Sequence, residues 1–403
     1  MSKIEQLLKK HCPNGVEYKK LGKIATIERG NGLQKKDFVP AGVPCIHYGQ
    51  LYTRFRTFAK SALTFVDKKT ASKLKHLVQG DILMAVTSEN VEDVCKCIAW
   101  LGDEDVVVGG HTAIIHHKQN PMYLAYWFQT EDFFTQKRKL AHGTKVIEVT
   151  PKKLEDVLIP VPPLEVQREV VEVLDKFALL TAELTAELTA EFKKRKKQYE
   201  HYRDKLLEIY PGGYKQLTLG EIGTVAMCKR ILKSQTSNEG EIPFFKIGTF
   251  GKVPDAFISK GLYDEYREKY SYPRCGDILI SAAGTIGRTV IYNGEPAYYQ
   301  DSNIVWLAHD EHIALNKYLY YFYQQKPWHV SEGGTIPRLY NDNILKTKIA
   351  IPPLAEQERI VKILDKFDKL CNDLTSGLPA EIAARKKQYE YYRDKLLTFR
   401  KAG

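Results

Sequence analysis

The chain has 403 residues, 43% of them hydrophobic and 27% charged, which is typical of a globular soluble protein with more than one domain. No apolar run approaches the ~18 residues of a membrane span, no secretory signal opens the chain, and seven scattered cysteines do not form a disulfide framework. The net charge of +11 favours a polyanionic partner such as nucleic acid, and the cysteine usage favours a reducing, cytoplasmic environment.

The first half of the chain begins with a short helical stub, residues 1–13, followed by a mixed domain at residues 14–158. Within this domain, the runs "DILMAV" from Asp81 and "VVVGGHTAIIH" from Val106 favour β-strands. The tyrosine-rich run "YLAYWF" from Tyr123 favours a helix, and glycines separate the elements. These patterns predict a compact domain of mixed α and β structure.

A helical region follows at residues 159–210, and it contains the repeat "TAELTAELTAEF". Its apolar residues recur every three or four positions almost throughout, which predicts one long helix with a single apolar stripe. The stripe comprises Val170, Val173, Phe177, Leu180, Leu184, Leu188, Phe192, Tyr199, Tyr202 and Leu206. A proline pair precedes the region and marks the start of the helix.

The second half repeats this order, with a second mixed domain at residues 211–348 and a helical region at residues 349–403. The runs "DILIS" from Asp277 and "NIVWLA" from Asn303 again favour strands, and "YLYYFY" from Tyr318 favours a helix. In the second helical region, Gly377 and Pro379 stand where the first has Glu187 and Thr189. Since both residues disfavour a helix interior, we expect a break or kink there.

The two helical regions are copies of one segment. From Pro162 to Leu207, 27 of 46 residues are identical to those found 190 positions later, without a gap. The mixed domains share only short echoes, such as "GDIL" at Gly80 and Gly276. We therefore predict an α+β fold with two similar mixed domains joined by two long helices, packed as a pseudo-twofold symmetric antiparallel coiled coil. Because the N-terminus resembles the end of the first helical region, the stub is expected beside the end of the second.

No motif in the sequence predicts catalysis by this chain. "AAGTIGRT", around Gly284, lacks residues that a phosphate loop requires and favours a tight glycine turn. "CKC", at Cys95, lacks a second pair at zinc spacing and favours buried thiols. "HH", at His116, favours a surface or strand-end pair, and "KKRKK", from Lys193, favours a solvated basic face over a targeting or nucleic-acid patch. Two diverged domains held on a basic, helical scaffold instead favour recognition of two sites on one polymer.

The motifs "PPLxxQ", "VxxLDKF" and "RKKQYExYRDKLL", present twice between two variable domains, resemble the specificity subunit of type I restriction-modification systems over the whole chain. The TAEL units resemble those of the IC subclass. The resemblance implies two target-recognition domains, each binding one half of a split asymmetric sequence in double-stranded DNA. It also implies two modification (methyltransferase) subunits that methylate adenine with S-adenosylmethionine. Restriction subunits that use ATP and Mg²⁺ complete the system, and no cofactor is expected in this chain.

DNA phosphates attract Lys and Arg, and base edges are read by polar side chains on loops. The candidate DNA-binding residues of this kind are Lys35, Lys36, Arg54, Arg56, Ser88, Asn90, Lys145, Lys229, Arg230, Lys233, Gln235, Arg338, Asn341 and Asn343. The candidate spacer residues on the first long helix are Thr181, Leu184, Thr185, Leu188, Thr189 and Phe192. No catalytic residue and no metal site is predicted.

Two other classes of function remain open on sequence grounds. A self-sufficient nuclease or methyltransferase is disfavoured because its motifs are missing. A coiled-coil scaffold that binds only proteins is compatible with the helices. The target bases, the length of the spacer and the presence of a restriction subunit cannot be deduced from the sequence.

Overall fold

The structure is a computed structural model that describes residues 2–208, 214–330, 337–372 and 378–403, without the side chains of residues 370–372. The chain divides into two compact units, residues 1–187 with 382–403 and residues 188–381. Each unit thus contains one mixed domain and portions of both helical regions, while the five-segment division drawn from the sequence stays a prediction. In the described parts, no helix is long and apolar enough to cross a membrane.

The first unit is rich in short strands. The strands are β1 (Tyr18–Lys20), β2 (Ala25–Arg29), β3 (Phe38–Val39), β4 (Val43–Ile46), β5 (Phe58–Ala59), β6 (Thr64–Val66), β7 (Lys75–Leu77), β8 (Ile82–Ala85), β9 (Thr87–Ser88), β10 (Cys97–Trp100), β11 (Val106–Val108), β12 (Thr112–His117), β13 (Ile147–Glu148) and β14 (Leu158–Pro160). The helices are α1 (Lys3–His11), α2 (Leu21–Ile24), α3 (Tyr48–Thr53), α4 (Lys68–Ala71), α5 (Pro121–Trp127), α6 (Glu131–Leu140) and α7 (Pro151–Leu154), with a 3₁₀ turn at Lys35–Asp37.

The first unit has two five-stranded sheets, in the orders β2-β12-β8-β10-β5 and β3-β6-β4-β11-β7. The strands β8, β10 and β11 are buried along their whole length, which explains their continuous apolar runs. The core of the first sheet continues onto α5, where Tyr123 and Trp127 are fully buried. The predicted strands and the predicted tyrosine-rich helix are confirmed.

Three longer helices come from the two helical regions, and they are α8 (Leu164–Leu207), α13 (Leu354–Asn372) and α14 (Leu378–Leu397). The second unit adds β15 (Lys215–Thr218), β16 (Thr224–Ala226), β17 (Ile242–Phe245), β18 (Phe257–Ile258), β19 (Ile278–Ser281), β20 (Thr289–Ile291), β21 (Tyr298–Tyr299), β22 (Ile304–Ala308) and β23 (Lys348–Ile351). Its shorter helices are α9 (Leu219–Ile222), α10 (Lys260–Lys269), α11 (Asn316–Tyr323) and α12 (Asn341–Leu345), with a 3₁₀ turn at Lys233–Gln235.

The second unit is built on the same scaffold as the first. Its sheet β16-β22-β19-β20 has the order of β2-β12-β8-β10, and the parallel pair β17–β21 matches the parallel pair β4–β11. The antiparallel pair β15–β23 matches β1–β14. The duplication therefore extends through both mixed domains, although their sequences share only short echoes.

The repeated "GDIL" has a structural reason in both units. Gly80 and Gly276 both have a backbone φ of +95°. Residues with a side chain rarely adopt this angle, so glycine suits the turn. The following aspartates accept backbone hydrogen bonds that close the turn, Asp81 from Val78 N at 2.9 Å and Asp277 from Arg274 N at 2.7 Å. The motif therefore starts a buried central strand in each unit, and it is not a site.

The motif "PPLxxQ" attaches each long helix to its domain. Gln167 is fully buried, accepts from Asn120 N at 2.9 Å and donates to Pro162 O at 2.8 Å. Gln357 repeats this with Leu315 N and Pro352 O, both at 2.8 Å. A buried amide needs its partners, so the glutamine fixes the start of each helix against the segment before α5 or α11.

The aspartate of "LDKF" makes a second repeated attachment. The Tyr126 hydroxyl donates to Asp175 at 2.6 Å, and the Tyr321 hydroxyl donates to Asp365 at 2.6 Å. These bonds tie α5 to α8 in the first unit and α11 to α13 in the second. The residues that carry the family resemblance are thus largely those that hold the domains to the helices.

The helical regions pack against each other within each unit. In the first unit, Phe177 stacks on Tyr392 with ring centroids 5.9 Å apart, and in the second unit Phe367 stacks on Tyr202 at 6.2 Å. The two contacts pair equivalent residues, which agrees with the predicted antiparallel pairing. The predicted seam is only partly buried, however, because Leu180 and Leu184 keep 59% and 37% of their surface exposed.

The N-terminal stub lies beside the end of the second helical region, as the sequence predicted. Ile4 of the stub belongs to the same hydrophobic cluster as Leu397, and Leu8 packs against this cluster. Directly after the stub, Val16 N donates to Arg400 O at 2.8 Å. Helix α1 also contacts the start of α8 through the ion pair Lys3–Glu169 and through His11, whose Nε2 lies 3.1 Å from a Glu165 carboxylate oxygen.

The other sequence expectations have mixed outcomes. Helix α8 runs without interruption through the TAEL repeat, as expected. The predicted break falls partly outside the described residues, since Gly377 is not described, while Pro379 lies in the first turn of α14, where proline is tolerated. Gly284 and Gly287 form a turn with φ of +63° and +76° between β19 and β20, which confirms a glycine turn.

Candidate nucleic-acid interface

The cationic candidates of the first unit lie on its surface. Lys35 and Lys36 are exposed in the 3₁₀ turn, and Arg54 and Arg56 are exposed directly after α3. Lys145 is exposed in the loop before β13. Their exposure is what phosphate contacts require.

Several of these segments meet at β9. Ser88, half-buried in β9, pairs with Ile147 of β13, so the Lys145 loop lies beside the Ser88 strand. The Tyr52 hydroxyl of α3 donates to Thr87 O at 2.8 Å, which brings the segment carrying Arg54 to the same edge. Candidates separated by up to about 90 positions thus converge on one edge of the first unit.

The same edge carries residues that the sequence did not single out. His111 is exposed, and its Nδ1 lies 2.9 Å from the Thr87 hydroxyl. The ring of Tyr48 lies 4.8 Å from that of His111 and 4.5 Å from that of His47. Burial, and to a smaller extent the charge of Lys35, lower the pKa of His47, so this imidazole favours its neutral form. No local motif marks this cluster, because only the fold brings its members together.

In the second unit, two separate candidate stretches meet at one turn, residues 301–303. The guanidinium Nε of Arg230 lies 2.9 Å from an Asp301 carboxylate oxygen, and Arg338 Nη2 donates to Ser302 O at 2.7 Å. Ser302 has a φ of +52°, which makes it a strained turn residue. The predicted stretches from Lys229 and from Arg338 therefore belong to one surface.

An open groove of about 740 Å³ adjoins this turn. Its lining includes Ser302, Arg338, the exposed Tyr340, Asn341 and Asn343. A cation, an aromatic ring and amides suit the phosphates, base faces and base edges of nucleic acid. The candidates Arg338, Asn341 and Asn343 belong to the stretch "GGTIPRLYNDN" that starts at residue 333, and residues 333–336 of this stretch lie outside the described residues.

Three polar candidates already have local hydrogen bonds. The side-chain carbonyl of Asn90 accepts from Asp93 N at 2.7 Å, and that of Gln235 accepts from Leu232 N at 2.8 Å. The side-chain carbonyl of Asn343 accepts from Tyr340 N at 3.2 Å. These oxygens shape the loops. The amide nitrogen of Asn90 also donates to the Asp93 carboxylate at 3.0 Å, and that of Gln235 to the Tyr266 hydroxyl at 3.5 Å. Lys233 and Asn341 are exposed.

The spacer candidates all lie within α8. Thr181, Thr185, Leu188, Thr189 and Phe192 are half-buried, whereas Leu184 is exposed. The basic run from Lys193 is exposed along the helix.

The described residues offer no group of three or more His, Cys, Asp or Glu that could hold a metal ion. Cys95 and Cys97 are buried, which confirms the prediction of buried thiols, and burial raises the pKa of both. His116 and His117 end strand β12, as expected, and His116 lies 2.9 Å from the buried carboxylate of Asp81.

The sequence is similar to known proteins over most of its length. The sequence profile of the type I restriction modification DNA specificity domain matches residues 13–194 and 211–384. The chain belongs to this family. A putative type I restriction enzyme specificity subunit of Haemophilus influenzae is 54% identical to it over 304 residues, covering 74% of this chain and 76% of that protein. The EcoR124I/EcoR124II specificity subunit of Escherichia coli is 35% identical over 261 residues, covering 60% of this chain and 61% of that protein.

Two solved structures share the fold at 18% identity. A chain from a study of complex assembly and conformational transition in a type I R-M system has a TM-score of 0.69 and covers 96% of this chain and 98% of its own length. The HsdS subunit of Thermoanaerobacter tengcongensis has a TM-score of 0.51 and covers 96% and 97%. The predicted α+β architecture and the predicted family are thus confirmed.

Proposed function

We propose that this chain is the DNA-recognition subunit of a type I restriction-modification complex, in which each mixed domain reads one half of a split asymmetric site. The observation that carries the proposal is the repeated scaffold of the two units, which presents a different set of cationic and polar side chains in each. Two related domains with different surfaces suit two different half-sites.

The long helices set the distance between the half-sites and dock two modification subunits. Support comes from apolar side chains of α8 that remain exposed within the described residues, Leu179 at 60% and Leu180 at 59%. Exposed apolar patches on helices are typical of sites that bind protein partners. S-adenosylmethionine, ATP and Mg²⁺ belong to the modification and restriction subunits, which carry the catalysis, and the complex acts on DNA in the prokaryotic cytoplasm.

The test is methylome sequencing of the host with and without this gene. We expect a bipartite motif with methylated adenines that disappears when the gene is deleted and returns when it is restored. A methylome that does not change would contradict the proposal.

Two measurements address the alternatives, one on the purified chain and one on its complex with the modification subunits. Methylation of DNA by the chain alone would favour a self-sufficient methyltransferase. A chain that, together with its modification subunits, leaves no footprint on duplex DNA would favour a scaffold that binds only proteins.

A further inference from the structure

Hydrogen bonds define equivalent turns in the two units. In the first unit, Val86 N donates to His111 O at 2.9 Å, and Val149 N donates to Val86 O at 3.0 Å. In the second unit, Ala282 N donates to Asn303 O at 2.8 Å, and Leu339 N donates to Ala282 O at 2.8 Å. The turn at residues 109–111 therefore corresponds to the turn at 301–303, and Gly110 corresponds to Ser302.

A guanidinium group donates to the same carbonyl position in both turns. Arg29 Nε donates to Gly110 O at 3.1 Å, and Arg338 Nη2 donates to Ser302 O at 2.7 Å. The two arginines come from different elements, since Arg29 ends β2 whereas Arg338 directly precedes Leu339.

The equivalent positions show that the arginine comes from opposite flanks of the turn in the two units. The pairing of β2 and β16 with their neighbours, and the offset of 198 residues found at "LGKI" and "LGEI", place Met227 where the first unit has Arg29. The hydrogen bonds of Val149 and Leu339 place Arg338 where the first unit has Glu148. Glu148 itself forms an ion pair with Arg29 at 2.7 Å.

The guanidinium groups of Arg29 and Arg338 each have more N–H donors than the turn carbonyl uses. Each guanidinium carries five N–H groups in a rigid fork, and the turn carbonyl takes one of them in each unit. The side chain of Arg29 is 45% exposed, and Arg338 lines the groove with Asn341 and Asn343. In the first unit the turn includes His111, whose Nδ1 lies 2.9 Å from the hydroxyl of Thr87, the neighbour of the candidate Ser88.

We propose that Arg29 and Arg338 are equivalent contacts to duplex DNA, one for each half-site, with the turn carbonyl orienting each guanidinium. This inference rests on the proposed function. The acceptors are hydrogen-bond acceptors of the duplex, either phosphate oxygens or the N7 and O6 atoms of guanine, both of which match an arginine fork. Arg29 was not among the candidates from the sequence, although the candidates Lys35 and Lys36 follow it by only six and seven residues.

The test uses the full chain with its modification subunits and duplexes that carry the methylome-mapped site, intact or with one half replaced. We expect Arg29→Ala and Arg338→Ala each to weaken binding to the intact site about tenfold. A base contact would reduce the preference for the correct half. A phosphate contact would weaken binding to all duplexes and make the salt dependence shallower by about one charge.

The decisive variant gives the first unit the arginine position of the second unit. Arg29→Met alone should lose about tenfold in affinity, whereas Arg29→Met with Glu148→Arg should restore binding to within about threefold, because it supplies the guanidinium from the other flank. Lys269→Ala, which breaks an ion pair with Glu265 on α10 and lies outside the long helices, serves as the control for loss of a paired cation.

Lysine variants separate DNA contact from support of the fold. Arg29→Lys and Arg338→Lys keep one donor for the turn carbonyl but lose the fork, so we expect unchanged melting temperatures and weaker binding. Wild-type affinity in the alanine and lysine variants, or a loss of base preference at the half-site of the unmutated domain, would overturn the inference. Failure of the wild-type complex to bind the mapped site would instead overturn the proposed function.

Discussion

At the end of β12, His117 is largely buried, and its Nδ1 accepts a hydrogen bond from Gln119 N at 3.1 Å. Burial, with a smaller contribution from the charge of His116, lowers the pKa of His117 to about 4. The folded state therefore binds this proton less readily than the unfolded chain, whose histidine pKa is about 6.5.

The sign of the pH effect follows from this difference. The full contribution of His117 to stability is present above a pH of about 6.5, and it is lost as the pH falls from there towards 4. We expect wild type to lose about 2 kcal/mol more stability over this range than His117→Asn, which keeps an acceptor for Gln119 N but does not titrate. Melting temperatures of both proteins across this range test the prediction, and parallel curves would contradict it.

Lys229 and Arg230 are exposed at the recognition surface of the second unit. The Lys229 ammonium lies 5.0 Å from the ring centroid of Tyr270, and the Arg230 side chain is 68% exposed in its ion pair with Asp301. Exposed pairs of this kind contribute at most about 1 kcal/mol to stability, so these charges can be removed without unfolding the domain.

We expect Lys229→Ala with Arg230→Ala to weaken binding to all duplexes and to make the salt dependence shallower by about two charges. Affinities at several salt concentrations test this. The matched control is Lys260→Ala with Lys269→Ala, which removes two paired charges from α10 of the same domain. If the first variant binds like wild type at every salt concentration, the assignment of this surface is wrong.

Among the elements, α8 shows why a repeat of four residues is tolerated in a long helix. Four residues make slightly more than one turn of about 3.6, so removing one unit shortens the helix by about 6 Å and rotates the remainder of the helix by roughly 40°. Residues that follow the removed unit, such as the half-buried Thr189 and Phe192, then keep their approximate facing. Base pairs rise by about 3.4 Å, so one TAEL unit corresponds to one or two base pairs.

We therefore expect deletion of Thr185–Leu188 to leave both half-sites unchanged and to shorten the spacer between them by about one base pair. The deletion protein is reconstituted with its modification subunits, and its methylated sites are mapped. Deletion of Ala186 and Glu187 alone is the control, because two residues turn the apolar stripe to the far side and should lower the melting temperature. An unchanged spacer, or altered half-sites, would refute the ruler hypothesis.

For the whole molecule, the repeated scaffold predicts modular recognition. The attachments of each domain to the helices are repeated side chains, such as Gln167 and Gln357, while the surfaces differ. Replacing residues of about 15 to 155 with a homologous domain should therefore change the first half of the methylated motif and keep the second. Methylome sequencing reads this directly, and a change in both halves would contradict the modular model.

The sequence by itself determined the family, the repeated order of domains and helices, and the position of the N-terminal stub. These features rest on helical periodicity, glycine turns and a gapless duplication, which are local or one-dimensional signals. Even the buried glutamine of "PPLxxQ" could be located in the sequence, although its hydrogen bonds could not.

Only the tertiary structure decided which residues share a surface. It brought Arg230 and Arg338 to one turn, and it placed Arg29 at the equivalent turn of the first unit, opposite Glu148. Such proximity depends on strand order and register, which join segments about 100 residues apart and leave no periodic trace along the chain. It also showed that Leu180 and Leu184 stay exposed, since burial depends on the distance between packed helices and not on the apolar pattern of one of them.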